Sequence, residues 1–295
     1  MIINDCIILK GIGGFYYVSD EKGTVYECKA RGVFRKEHIT PLAGDRVTVK
    51  TDGSTATVTQ IYERRNFLTR PPVANIDMLI ITASVAEPKP NLTVIDRLTA
   101  QAVDVGIEPV VVFSKADLAD TEEYVDIYNK CGIISFAVSS KTGEGAERFK
   151  ELFNDRVCAL TGNTGVGKSS MLNCIQPQLK LETSHISKKL GRGRHTTRSV
   201  ELFSLFGGYI ADTPGFSALD FENTKLIPKD DLPYCFPEFR EFIGKCKFVS
   251  CSHINDKGCA VVEAVKDGII SPSRHESYRI MYDEVKSYKP WQDKQ

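Results

Sequence analysis

The amino-acid sequence predicts three successive units: a small all-β barrel, an α/β domain built on a parallel sheet, and a mostly helical region. Short β-type runs separated by Gly and Asp turns fill residues 1–68, strand and helix patterns alternate over residues 69–220, and Cys and His residues crowd together within residues 221–295. Short strands with glycine-bearing turns are typical of small barrels. Alternation of strand and helix is typical of a parallel sheet that is covered on both faces.

Length and composition indicate an ordinary globular protein. The chain has 295 residues, of which 42% are apolar and 26% charged, enough for a real core. It has no apolar run of the roughly 20 residues that span a membrane, and no basic segment precedes its short N-terminal apolar stretch. We therefore expect a cytoplasmic monomer with no membrane partner. Because 38 Lys and Arg balance 38 Asp and Glu, any contact with nucleic acid must come from local patches.

The barrel prediction for residues 1–68 depends on five short runs. They are Cys6–Leu9, Phe15–Val18, Thr24–Cys28, Arg46–Lys50 and Thr57–Ile61. Residues 29–36 interleave basic and aromatic side chains, as nucleic-acid-binding faces do. A solvated strand edge explains this short segment equally well.

The α/β prediction begins with the apolar run Ile76–Ala83, which has the pattern of a strand buried on both faces. Apolar residues then recur at helical spacing from Leu92 to Val105. Further strands are predicted at Pro109–Phe113, Ile133–Val138, Val157–Thr161, Val200–Phe206 and Gly208–Ala211. Further helices are predicted at Glu122–Lys130, Glu144–Phe153 and Lys168–Ile175, whereas the helix-like stretch Arg274–Ser287 belongs to the C-terminal region. Together these elements predict a parallel sheet with helices on both faces.

A phosphate-binding loop is predicted where the sequence matches G-x-x-x-x-G-K-[ST] between a strand and a helix. Glycines let successive N–H groups point at phosphate oxygens, and the helix N-terminus adds positive charge. Lys168 would bind the β- and γ-phosphates and serve catalysis, and Ser169 would ligate Mg²⁺. The predicted binding residues here are Gly162, Asn163, Thr164, Gly165, Val166, Gly167, Lys168, Ser169 and Ser170.

Three further short motifs complete a guanine-nucleotide site. Asp212-Thr213-Pro214-Gly215 is a D-x-x-G element, in which Asp212 would hold Mg²⁺ through water and the Gly215 N–H would contact the γ-phosphate. Ser114-Lys115-Ala116-Asp117 resembles N-K-x-D. Asp117 would accept two hydrogen bonds from guanine, which adenine cannot donate, while the Lys115 stem would lie along the base. Ser139-Ser140-Lys141 resembles S-A-K, whose backbone N–H meets the guanine O6.

Position makes these weak motifs convincing. Each follows a predicted strand, and ligands of open parallel sheets bind at the carboxyl ends of the strands. We therefore expect GTP or GDP, with Mg²⁺, at this edge. The guanine motifs precede the phosphate loop, so the motif order is circularly permuted. As a consequence, the D-x-x-G segment leads directly into the C-terminal region, which nucleotide state could then move.

A metal site is predicted from three cysteines and one histidine within 14 residues, namely Cys246, Cys251, His253 and Cys259. Three thiolates and an imidazole suit one structural, tetrahedral Zn²⁺. Buried free cysteines are the alternative. Cys235 lies outside the pattern and is not expected to be a ligand.

The motif order and its flanking residues resemble the ribosome small-subunit-dependent GTPase A (RsgA) family. The resemblance is carried by Gly44–Val47, Arg64–Asn66, Arg70–Asp77, Thr161–Asn173, Gly193–Thr197 and the Cys/His cluster. It implies that residues 1–68 form an OB-fold that meets ribosomal RNA. It also implies a GTPase that binds the small ribosomal subunit and assists its late maturation.

Residues 183–200 contain no acidic residue and many basic ones, which suits contact with nucleotide or RNA phosphate; a solvated loop is the alternative. The resemblance makes this segment switch I, in which Thr196 or Thr197, with Thr197 preferred, completes the Mg²⁺ shell.

Many GTPases place a water-orienting Gln after D-x-x-G, but this chain has Phe216. His195 is the best local replacement, and the resemblance also points to it. We expect slow turnover alone and faster turnover on the ribosomal partner.

The sequence departs from the family pattern at two positions. Ser114 stands where the family has Asn or Thr, and we expect it to tether the phosphate loop less well. Thr164 stands where Ser is usual.

The main alternative function is an RNA-binding assembly scaffold in which nucleotide only stabilises the fold. An ATP-dependent enzyme is disfavoured by Asp117.

Overall fold

A closed five-stranded barrel forms the N-terminal unit of the computed structural model, which describes residues 1–69, 72–177, 200–212 and 226–287. The strands are β1 (Ile2–Ile12), β2 (Phe15–Ser19), β3 (Val25–Ala30), β4 (Arg46–Thr51) and β5 (Ala56–Ile61), in the order β1-β2-β3-β5-β4. Only the β3–β5 pair is parallel. A short helix, α1 (Gly32–Lys36), lies between β3 and β4. This five-stranded barrel is OB-like, as predicted.

The basic and aromatic segment 29–36 is not a continuous strand edge. It leaves β3 at Ala30 and turns into α1, which places Phe34 in the barrel core with 6% exposure. An aromatic ring that fills the barrel cannot stack on a nucleic-acid base. The exposed aromatic residue of this region is instead Phe15 on β2, whose ring lies 5.4 Å from the Lys29 ammonium.

A two-stranded hairpin, β6 (Phe67–Thr69) and β7 (Pro72–Ala74), joins the barrel to the next unit. Gly44 of the barrel has a φ of 90°, and a side chain there would lie 2.0 Å from the carbonyl oxygen of Ala74. Only glycine permits this close approach. The domain boundary predicted at residue 68 falls inside this hairpin, and all three predicted domain ranges stay predictions.

A six-stranded sheet carries the central unit. Its strands are β8 (Met78–Ser84), β9 (Glu108–Ser114), β10 (Ile134–Val138), β11 (Val157–Thr161), β12 (Glu201–Leu205) and β13 (Gly208–Asp212), in the order β10-β9-β8-β11-β13-β12. Five are parallel, but the edge strand β12 runs antiparallel to β13. The prediction of a wholly parallel sheet is wrong at this edge. Phe206 and Gly207 both have positive φ, 48° and 85°, and form the tight turn that reverses the chain.

Helices cover both faces of this sheet. Helices α2 (Leu92–Asp104) and α3 (Glu122–Lys130) contribute to one core, and α4 (Ala146–Glu151) and α5 (Lys168–Ile175) contribute to the other. Alternate residues of β8 belong to the two cores, Leu79 and Ile81 to the first, Met78 and Ile80 to the second. This alternation is what a strand buried on both faces requires.

The C-terminal unit packs against helix α2. It consists of two 3₁₀ turns, Leu232–Cys235 and Pro237–Phe239, followed by α6 (Ala260–Lys266) and α7 (Pro272–Val285). The Arg274 side chain of α7 is fully buried and forms ion pairs of 2.7 Å with Asp96 of α2 and with Glu238. Among the helices in the part of the chain that the structure describes, none is long and apolar enough to span a membrane.

Candidate nucleotide site and metal centre

The phosphate loop connects β11 to α5, as the sequence predicts. Gly162 has a φ of 144°, and a side chain on it would lie 2.2 Å from the carbonyl oxygen of Thr82. Gly165 and Gly167 also adopt positive φ, 82° and 93°. Glycine is therefore required by space at the first position and favoured by backbone conformation at the other two.

Lys168 begins helix α5 and lies against the loop that precedes it. Its ammonium donates hydrogen bonds to the carbonyl oxygens of Gly162, at 2.5 Å, and Asn163, at 2.9 Å. Burial lowers the pKa of Lys168 from its ordinary value of 10.5 to about 8, because a desolvated cation is destabilised. A bound phosphate would favour the charged form. Ser169, the predicted Mg²⁺ ligand, follows in the first turn of α5 and is buried.

Ser114 ends strand β9 and reaches the phosphate loop. Its Oγ lies within hydrogen-bond distance of the Val166 carbonyl oxygen, and at 3.2 Å from that of Ala83. Ser114 therefore makes a contact with the phosphate loop at the position where the family pattern has Asn or Thr. A hydroxyl has one proton and serves one carbonyl at a time, whereas an Asn amide offers two N–H groups. The expectation of a weaker tether stays a prediction on this ground.

The two guanine-specific motifs are joined by one side-chain hydrogen bond. Ser139 Oγ donates to Asp117 Oδ1 at 2.7 Å and accepts from the backbone N–H groups of Lys141 and Thr142. Lys141 also lies 4.0 Å from the other oxygen of Asp117. The sequence indicated only a backbone N–H from this motif. The structure gives the Ser139 hydroxyl a second role, which is to fix the carboxylate that would read the base.

The loop after β8 adds residues that no motif indicated. The Lys115 ammonium donates to the carbonyl oxygen of Glu87, and Pro88 to Asn91 lie across a cleft from Gly162, Asn163 and Val166. The clue available in sequence was the Pro-rich segment Glu87–Asn91, which follows the carboxyl end of a central strand.

The structure brings most of the predicted site residues to one sheet edge. Strands β8 to β11 and β13 are parallel, so the carboxyl ends that precede residues 114–117, 139–141 and 162–170 lie together. Asp212 ends β13, next to β11. Gly215, His195, Thr197 and Phe216 lie outside the described residues.

The four predicted metal ligands form one cluster. The Sγ atoms of Cys246, Cys251 and Cys259 and a ring nitrogen of His253 all lie within 4.8 Å of one another. Cys246 Sγ lies 3.9 Å from Cys259 Sγ and 3.5 Å from His253 Nδ1. A tetrahedral Zn²⁺ with ordinary bond lengths separates two sulfurs by about 3.8 Å and a sulfur from a nitrogen by about 3.6 Å. The arrangement therefore fits a closed zinc site.

Surrounding groups orient these ligands. The backbone N–H groups of Ala260 and Val262, in the first turn of α6, lie 3.3 and 3.5 Å from the sulfurs of Cys246 and Cys259. They would stabilise thiolates there. Burial lowers the pKa of His253, which favours the neutral imidazole that binds metal.

Helix α7 holds the backbone of the same loop. His275 Nε2 lies 2.7 Å from the carbonyl oxygen of His253, and the Tyr278 hydroxyl donates to that of Ser252 at 2.8 Å. The backbone of the loop is thus anchored to the neighbouring helix, and neither anchor uses a side-chain atom that would bind metal.

Comparison with known proteins agrees with this architecture. A family model described as RsgA GTPase matches residues 61–222, and one described as RsgA N-terminal domain matches residues 6–58. The small ribosomal subunit biogenesis GTPase RsgA of Caldanaerobacter subterraneus subsp. tengcongensis is 45% identical to this chain, over 95% of each protein. The protein of the same name from Bacillus cereus (strain ATCC 14579) is 42% identical, over 96% of this chain and 98% of its own.

Two solved structures have the same overall fold. YjeQ from Thermotoga maritima superposes with a TM-score of 0.85 at 33% identity, and the match covers 98% of this chain and all of that one. YloQ, described as a circularly permuted GTPase, gives 0.81 at 35% identity, covering 98% and 97% of the two chains. Because family models match its N-terminal and central units and its relatives are 42–45% identical over nearly their whole length, the chain belongs to the RsgA GTPase family.

Proposed function

We propose that this protein hydrolyses GTP to GDP and phosphate and acts on the small ribosomal subunit during its biogenesis. The observation that carries the proposal is the Ser139–Asp117 hydrogen bond at the edge that also bears the phosphate loop. A fixed carboxylate beside a phosphate cradle selects a guanine nucleotide, because guanine alone offers two adjacent N–H donors to it. We infer the small ribosomal subunit as the partner from the names of the relatives.

The residues act as follows in the proposed mechanism. The backbone N–H groups of the loop and the Lys168 ammonium bind the phosphates, so that Lys168 exchanges its contacts with two loop carbonyls for phosphate oxygens. Ser114 restrains the loop through Val166. His195 is proposed to orient the attacking water, since Phe216 cannot.

Two metals accompany this function in the proposal. Mg²⁺ would arrive with GTP and be held by Ser169, by Thr197 and, through water, by Asp212; it would neutralise charge that develops on the phosphates. One Zn²⁺ would be held by Cys246, Cys251, His253 and Cys259 and would stabilise the fold of that loop. The cytoplasmic location and the monomeric state stay predictions from the sequence.

The test is steady-state hydrolysis of GTP, with ATP as the control nucleotide, with and without purified small ribosomal subunits. We expect slow hydrolysis of GTP alone, strong stimulation by the subunit, and no stimulated hydrolysis of ATP. GTP turnover that is indifferent to the subunit would contradict the ribosome-activated mechanism and leave a guanine-nucleotide hydrolase with another partner.

The scaffold alternative predicts a different outcome for Lys168→Ala. If nucleotide only stabilised the fold, the variant would keep its RNA function once folded. The proposed GTPase loses turnover in this variant, because the cation that binds the β- and γ-phosphates is gone. Subunit binding and hydrolysis measured on the same preparation separate the two.

A further inference from the structure

The barrel contacts the central domain at strand β12. In the sequence, the β12–β13 hairpin lies between the two predicted switch segments. Strand β1 contacts strand β12, and Lys10 of β1 forms an ion pair of 2.5 Å with Glu201 of β12. Both side chains are about a quarter exposed, 25% and 28%, so the pair is partly shielded from water. Screening by salt is weaker for such a pair than for one on the open surface.

Glu201 occupies a special register position. It is the first residue of β12 and is separated by Val200 alone from the segment 178–199, in which the sequence predicts the switch I residues. In the antiparallel pair it lies opposite Asp212, the first residue of the D-x-x-G motif. A contact on Glu201 therefore acts where both nucleotide-sensing segments meet the sheet.

A ladder of side chains leads from Lys10 across the outer face of the barrel. Lys10 is the cross-strand partner of Tyr17, and its ammonium lies 5.1 Å from the centre of that ring. Tyr17 is paired in turn with Glu27 of β3, to which its hydroxyl donates at 2.9 Å. Two residues along the same face of β2, Phe15 is paired with Lys29. We name Lys10, Phe15, Tyr17, Glu27 and Lys29 the barrel ladder.

The composition of the barrel ladder suits single-stranded RNA. The rings of Phe15 and Tyr17 offer stacking surfaces to bases, and Lys29 beside Phe15 can bind a backbone phosphate, while Lys10 stays paired with Glu201. Because side chains on neighbouring strands are in contact, a base stacked on this face would restrict Tyr17 and, through it, Lys10.

We propose that Lys10 and Glu201 are positioning residues for hydrolysis: RNA held on the barrel ladder fixes the Lys10–Glu201 ion pair, which fixes β12 and, through its pairing with β13, the strand that ends at Asp212. This inference rests on the proposed function, since it presupposes stimulation by the ribosomal subunit. Lys10 belongs to the barrel and Glu201 begins β12, so neither is part of the phosphate loop, and we expect the pair to affect the stimulated rate far more than the basal one.

The experiment measures three quantities for each variant: basal kcat for GTP, kcat with saturating small subunits, and the Kd for the subunit. For Lys10→Ala and Glu201→Ala we expect basal kcat within about twofold of wild type and stimulated kcat reduced about tenfold, which corresponds to about 1.4 kcal/mol. Lys10→Arg, which keeps the ion pair, should retain stimulation. The charge-reversed double variant Lys10→Glu/Glu201→Lys should recover most of the loss, which a simple folding defect would not.

Lys50→Ala is the matched control, because it removes one exposed lysine from strand β4 of the same barrel. It should leave the stimulated kcat unchanged even if it weakens subunit binding. Full stimulation of Lys10→Ala would overturn this inference and leave the proposed function intact. An equal loss of stimulation in Lys10→Ala and Lys50→Ala would do the same. A wild-type protein that the subunit does not stimulate would overturn both this inference and the proposed partner.

Discussion

At the scale of single residues, base recognition depends on how Asp117 is held. A free carboxylate on a loop samples several rotamers, and binding guanine would cost the entropy of fixing one of them. Ser139 Oγ holds one oxygen of Asp117 at 2.7 Å and is itself held by two backbone N–H groups. The hydroxyl thus orients Asp117 before nucleotide binds.

We predict that Ser139→Ala weakens GDP binding roughly tenfold, about 1.4 kcal/mol, as expected for loss of one hydrogen bond to a charged group. Ser140→Ala is the matched control, since Ser140 is exposed and the change keeps its backbone N–H. Titration calorimetry with GDP would measure both. Equal affinities of the two variants would show that Asp117 needs no such support.

The charge of Lys168 makes nucleotide binding depend on pH. The pKa of the free side chain is lowered to about 8 by burial, and bound phosphate raises it again because opposite charges favour the protonated form. Between these two pKa values, binding must take up a proton, so affinity falls as pH rises through about 8. At pH 7 Lys168 is already charged and little uptake is expected.

Calorimetry of GDP binding in buffers of different ionisation enthalpy would test this. We expect uptake of most of one proton at pH 8.5 and close to none at pH 7. Lys168→Arg, whose side chain stays charged in this range, is the control and should show no added uptake at pH 8.5. The same uptake in wild type and in the Arg variant would assign the proton to another group.

At the scale of elements, the phosphate loop and the zinc loop are shaped by different means. The phosphate loop is fixed by backbone conformation, with Gly162 packed against the Thr82 carbonyl where no side chain fits. In the zinc loop, His253 adopts a left-handed backbone with a φ of 59°, which costs a non-glycine residue energy. Metal ligation and the anchors on α7 offset that cost in the proposed holo protein.

We predict that Cys251→Ser abolishes zinc binding and lowers the melting temperature by several degrees, because a structural zinc site contributes folding free energy. Cys235→Ser is the control, since Cys235 is buried in the same core but is not a member of the ligand cluster. Metal analysis should give one zinc per wild-type and Cys235→Ser chain. Stoichiometric zinc in Cys251→Ser would contradict the assigned ligand set.

At the scale of the whole molecule, Arg274 attaches the C-terminal unit to the catalytic one. Its guanidinium donates to Asp96 and Thr99 of α2 at 2.7 and 3.0 Å, and to Glu238. Asp96 also accepts from the Tyr128 hydroxyl at 2.9 Å. Removal of one partner from a buried ion pair leaves the other charges uncompensated.

We predict that Arg274→Ala destabilises the protein by about 3–5 kcal/mol and that Arg274→Lys does not restore it, because an ammonium cannot bond both carboxylates as a guanidinium does. Arg279→Ala on the same helix is the control. Its ion pair with Glu276 is about half exposed and should contribute less than about 1 kcal/mol. Urea unfolding would measure all three, and equal losses in the two Ala variants would refute a special role for Arg274.

The sequence by itself determined the elements and motifs that depend on local chemistry. A loop that wraps phosphate needs glycine at fixed spacings, a strand buried on two faces needs an unbroken apolar run, and a zinc site needs its thiolates and imidazole. For this reason β11, α5 and the Cys/His cluster lie where their patterns predicted. Element ends were less certain: α4 starts at Ala146, after Gly145 with a φ of 71°, rather than at Glu144.

Only the tertiary structure decided which distant side chains meet. Ser139 and Asp117 are 22 residues apart, Arg274 and Asp96 are 178 apart, and Lys10 and Glu201 are 191 apart. No sequence periodicity relates such distant positions, and the sequence does not distinguish a buried arginine from an exposed one. The antiparallel direction of β12 and the burial of Phe34 were also decided at this level, because each depends on how the chain turns and on what space the neighbouring strands leave.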